Sequence, residues 1–145
     1  MELDFDKIIR IRKIRSVKSD LSKEENTLSR PVLSDKKLIP EIHKVFTSLI
    51  VERGCKTATN TVIQRKKYIF IVLYLYSPSS LAGDKMAPGL RDELSNVLGV
   101  QAKSTISNNC ANLVFLYQNY TSFRKDVEYL CNKIISWLKS HESVE

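Results

Sequence analysis

An all-α domain is what this sequence predicts, and three observations carry that expectation. Segments at 40–53, 93–98, 106–117 and 123–138 repeat apolar residues at helical spacing. Helix punctuation surrounds them: Pro40 suits a first helical position, while Gly54 and Gly99 suit stops. The one strand-like run, Tyr68–Tyr76, has no second run to pair with. Five or six helices around one core are expected over residues 38–140, preceded by a flexible basic N-terminal arm over 1–37.

In the arm, Ile9 and Ile11 alternate with Arg10 and Arg12 like a strand, while Phe5, Ile8 and Ile9 equally make one face of a short helix. Lys18 to Lys37 is polar, is broken by Pro31, and reads as linker. Such a composition buries little apolar surface, so a partly disordered tail is expected. The functional reading of the same residues is a basic arm laid on phosphates.

Pro40 to Arg53 is the clearest helix, with Ile42, Val45, Phe46, Leu49 and Ile50 on one face. His43 stands there without a Cys, carboxylate or second His and is assigned no chemistry. Residues 55–60 are a connector. Thr61 to Tyr76 runs from the basic cluster Arg65-Lys66-Lys67 into the longest apolar stretch. Propensity alone favours a strand there and a buried helix is the rival; the missing partner strand selects the helix. Residues 77–89 form a loop punctuated by Pro78, Gly83 and Pro88. A last helix covers Phe123 to Lys139, with Phe123, Val127, Leu130, Cys131, Ile134 and Leu138 inward and a frayed tail around His141.

Between these lies Glu93 to Asn112, ELSNVLGVQAKSTISNNCAN. Leu94, Val97 and Leu98 make an apolar stripe, and Gly99 ends the helix in a left-handed conformation. After a short turn, Ser104 or Thr105 caps a second helix, 104–118. Ile106, Cys110, Leu113, Val114 and Tyr117 fall on its inner face, with Thr105, Asn108, Asn109 and Asn112 on the other. Helix, turn and helix with small hydrogen-bonding side chains outward is the grammar of a DNA-reading helix-turn-helix. A plain helical hairpin with a solvated polar face is the alternative.

The 145 residues carry a formal net charge of +7 and are 43% hydrophobic, enough for one core. Residues 1–72 hold 16 Lys and Arg against 9 Asp and Glu, whereas residues 73–145 hold 7 of each. That asymmetry points to nucleic acid or an anionic surface. Cys55, Cys110 and Cys131 are odd in number and lack metal spacing, and Cys110 and Cys131 read as small buried hydrophobes. With a charged N-terminus and no apolar run long enough to span a bilayer, a reduced cytoplasmic setting is expected. No glycine-rich phosphate loop, HExxH, CxxC or activated nucleophile is present. Catalytic residues, cofactor, metal and small-molecule substrate are therefore all expected to be none.

Residues 38–139 resemble the C-terminal DNA-binding domain of the bacterial replication initiator DnaA. The family's turn and recognition helix read Gly-Gly-Arg-Asp-His-Thr-Thr-Val-Leu-His-Ala-Cys-Arg-Lys-Ile. Here Gly99, Ser104, Thr105, Ile106 and Cys110 fall at matching places. The family's first helix is similar to Glu93–Gly99, and its basic segment is similar to Gln64–Phe70, with Arg65 where an arginine enters the minor groove. The turn's Asp and His are replaced by Ala102 and Lys103, the Arg-Lys after the Cys by Ala111 and Asn112, and the 77–89 loop is longer. No counterpart of the nucleotide-binding AAA+ module occurs in these residues, so an ATP-driven initiator is not expected. The resemblance implies a DnaA domain IV, Trp-repressor-like helix-turn-helix that packs on helix 61–76 and binds double-stranded DNA. Arg65, Lys66, Lys67, Gln101, Lys103, Ser104, Thr105, Asn108, Asn109 and Asn112 would be its DNA-facing residues. Replication initiation, its regulation, transcription and element mobility are the processes in view. A helical protein-interaction module is the alternative, and a subunit whose chemistry lies in a partner is the remaining one.

Overall fold

The computed structural model describes residues 2–53, 62–99 and 112–142, and every regular element among them is helical. Two compact units divide the chain at Arg30 and Pro31.

The first unit is one 23-residue helix, α1 (Asp6–Leu28), where a loose arm giving way to linker at Lys18 was expected. The physical reason is the absence of any breaker. No Gly or Pro interrupts residues 2–30, and the length exceeds the roughly 12–15 residues below which isolated helices are marginal. Pro31 then keeps Arg30 out of the helical region. None of α1's residues is buried. A composition too polar for a core rules out packing, not helix formation.

The second unit begins with a 3-10 turn at Lys36–Leu38, capped by the Asp35 carboxylate, which accepts from the Lys37 amide at 3.0 Å. It leads into α2 (Ile39–Glu52), whose first turn holds Pro40. Ile42, Phe46 and Ile50 are buried as the 3.6-residue period requires. The centre of the unit is α3 (Val62–Tyr76), a helix and not a strand. Tyr68, Ile69, Ile71, Val72, Leu73 and Leu75 are fully buried, so α3 is apolar on nearly all sides and shows little helical period.

Its two buried tyrosines each find an acceptor. Tyr68 Oη donates to the Ile39 carbonyl at 3.1 Å and Tyr76 Oη to the Asp35 carbonyl at 2.6 Å. Burial pushes the Tyr76 phenol up to about 12, with the Asp35 charge adding to it. Residues 77–89, expected as loop, contain a single-turn helix, α4 (Pro78–Leu81). Gly89 at φ 81° precedes α5 (Leu90–Leu98), and Gly99 at φ 70° follows it.

α6 (Leu113–Asn119) and α7 (Thr121–Glu142) complete the unit. Phe123, Val127, Leu130, Ile134 and Leu138 of α7 are buried, as their spacing predicts. The expected frayed tail is instead helix: His141 lies one turn beyond Trp137, with ring centroids 4.1 Å apart. α7 packs on α2, α3 and α6, while α5 rests on α2. The helix-turn-helix region was expected to pack on α3. Among the described residues of that region, α5 meets α2, and α6 meets α7 and touches α3 through the Phe70–Tyr117 stack at 5.2 Å.

Candidate nucleic-acid interface

The first helix of the expected helix-turn-helix is α5, with Leu94 and Leu98 in the core and Val97 packed at its edge. Gly99 closes it in the left-handed region, as its place after the apolar stripe predicts. The Gly99 amide donates to the Ser95 carbonyl, satisfying one of the open acceptors at the helix end.

Gln101, Lys103, Ser104, Thr105, Asn108 and Asn109 lie outside the described residues. Asn112 is exposed and has φ −124° and ψ 14°, outside helical geometry. It is the N-cap of α6, so the described part of the helix expected over 104–118 begins at Leu113. Leu113 follows at once and is fully buried. The polar stretch between Gly99 and Leu113 is thus held at both ends by core residues, Leu98 and Leu113.

The basic cluster divides. Arg65 and Lys66 are half-buried near the start of α3. Lys67, expected to meet phosphate, points inward. Its ammonium donates to Asp126 Oδ2 of α7 at 2.7 Å, and its side chain is only 11% exposed. Arg53, at the C-terminal end of α2, contacts Asp126 Oδ1 at 3.2 Å and covers the Tyr129 ring at 4.4 Å. One carboxylate therefore ties α2, α3 and α7 together, and Lys67 leaves the set of free cations. Three basic residues in a row suggested a solvated surface, but helical geometry turns the third about 200° from the first and onto α7. Asp126 and Arg53 carry no sequence signal for this role, because each lies among other charged residues, after Arg124-Lys125 and after Glu52.

A groove of about 320 Å³ opens between α3, α6 and α7, lined by Phe70, Tyr74, Tyr117, Glu128, Cys131 and Ile135. Tyr117 Oη donates to Glu128 Oε1 at 2.8 Å, and that bond raises the phenol's pKa. Burial pushes the Cys131 thiol up to about 11, which favours its protonated form near neutrality. No three His, Cys, Asp or Glu side chains gather for a metal among the described residues.

No protein-family model matches the chain, and neither does any curated protein or solved structure.

Proposed function

We propose that this chain binds double-stranded DNA, without catalysis, through the helix-turn-helix segment that α5 opens. The carrying observation is the left-handed Gly99 after a core-facing α5, with Leu113 buried in the core on the far side of a polar stretch of sequence. The basic excess before that segment supports the same reading. The DnaA domain IV resemblance of residues 38–139 supports a role in replication initiation, its regulation, transcription or element mobility. Thr105 meets a thymine methyl, and Asn108 and Asn109 pair with adenine edges. Gln101, Lys103, Ser104 and Asn112 reach bases or phosphates from the turn and helix end. Arg65 and Lys66 hold the backbone or minor groove.

Fluorescence anisotropy on duplexes, including one selected from a random pool, tests this. Arg65→Ala with Lys66→Ala weakens binding to every sequence and flattens the salt slope by about one to two units. Thr105→Ala or Asn108→Ala costs about 1–3 kcal/mol on the preferred site and leaves the salt slope in place. Absence of binding by folded protein at low salt ends the proposal. A second reading, a helical protein-interaction module, is favoured by the apolar groove around Phe70 and Cys131. It predicts capture of an apolar peptide and indifference to Arg65 and Lys66.

A further inference from the structure

α1 carries an apolar stripe whose side chains are exposed. Ile14, Leu21 and Leu28 recur every seven residues, and Ile11 and Val17 fill the same side of the helix. These five are between 46% and 72% exposed. Heptad spacing of this kind is the seam by which one helix packs along another.

Charge along α1 is split by halves. Lys7 to Lys18 holds six basic residues and no acidic one, whereas Asp20, Glu24 and Glu25 face Lys23 alone in the half that follows. This arrangement opposes the helix's own dipole, which favours acids at the N-terminal end and bases at the C-terminal end. A parallel neighbour of the same sequence would set basic half against basic half. An antiparallel one sets Lys7 and Arg10 near Glu25 and Glu24 of the other chain, while Ile11 and Ile14 meet Leu21 and Val17. It also brings the negative end of the second dipole beside the basic half of the first. Seam, charge halves and dipole thus select the same occupant.

We infer that α1 is a self-association helix, which pairs antiparallel with α1 of a second copy. This surface is independent of the DNA reading, since α1 and residues 31–145 are separate units. A nucleic-acid strand or anionic membrane suits it less well, because the acidic half and the apolar seam share the helix with the basic half.

Sedimentation equilibrium of the full chain is expected to show a monomer–dimer equilibrium that weakens as salt is raised. Zero-length carbodiimide coupling of the dimer should link Lys7 to Glu24 or Glu25. Lys7 and Glu25 are 18 residues apart, about 27 Å along one helix, so such a link forms only between two antiparallel chains. Leu21→Glu removes the dimer. Glu24→Lys with Glu25→Lys weakens it by at least about tenfold, because attractive contacts become repulsive on both sides of the two-fold axis. Far-ultraviolet circular dichroism confirms that the variants keep their helix. A monomer at every concentration, including one whose α1 binds duplex DNA or vesicles instead, overturns the inference. So does a dimer with links between N-terminal halves, or one that ignores both variants.

Discussion

Lys67 keeps its ammonium 2.7 Å from Asp126 with 11% of its side chain exposed, while Asp126 is 29% and Arg53 38% exposed. The graded exposure decides which partner suffers if the carboxylate goes. Arg53 can turn to water, but Lys67 cannot without moving α3. Breaking a fully buried pair costs about 3–5 kcal/mol, and the partial exposure here brings Asp126→Asn to about 2 kcal/mol in urea unfolding. Adding Lys67→Met should return most of that loss, because an apolar side chain replaces the stranded charge. A single-mutant cost below about 0.5 kcal/mol, the range of ordinary surface changes, refutes the buried-pair account.

His43 gives the residue scale its pH dependence. Its ring meets Tyr68 edge-on at 5.0 Å, and burial lowers its pKa from 6.5. A lowered value means the unfolded chain takes up this proton first as pH falls. In that window the unfolded state binds more protons, so stability rises with pH. The contribution is complete above the unfolded value of 6.5 and is lost as pH drops towards the folded value. Thermal melts should therefore show a larger loss between neutral and mildly acid pH in the parent than in His43→Gln. Equal losses would show that His43 does not titrate against the fold.

At the scale of the elements, legibility followed from how each helix is buried. α2, α5 and α7 each bury one face, so period and caps marked them within a few residues. α3 is buried on most sides, which erases the period; only the lack of a partner strand distinguished it. α1 was misread because its exposed apolar residues follow a seven-residue seam while its polar composition resembles linker. Within the candidate site, Gly99 could be placed because a left-handed cap is a local backbone requirement that glycine meets without strain. Lys67 and Asp126 could not, because their pairing joins residues 59 apart in sequence. The start of α6 at Leu113 was also invisible, since a helix-compatible pattern runs through it.

At the scale of the molecule, the division at Arg30 and Pro31 separates association from folding. Among the described residues, the buried apolar residues of the core lie between Ile39 and Leu138, and α1 contributes none. Removing residues 1–30 therefore takes away no core packing. The truncated chain is expected to unfold within about 0.5 kcal/mol of the parent, a change of a few degrees for a domain near 115 residues. The comparison belongs at low protein concentration, where mass action from α1 pairing adds nothing to the parent. Sedimentation should find the truncated chain monomeric at all concentrations. Its affinity for a short duplex with a single site should match that of the parent monomer, because Arg65, Lys66 and the α5–α6 region remain. On a duplex with two sites the parent should gain, since pairing makes the second binding event intramolecular. Loss of cooperative unfolding on truncation would show that α1 is part of the fold. A dimer that persists would move the association surface into residues 31–145.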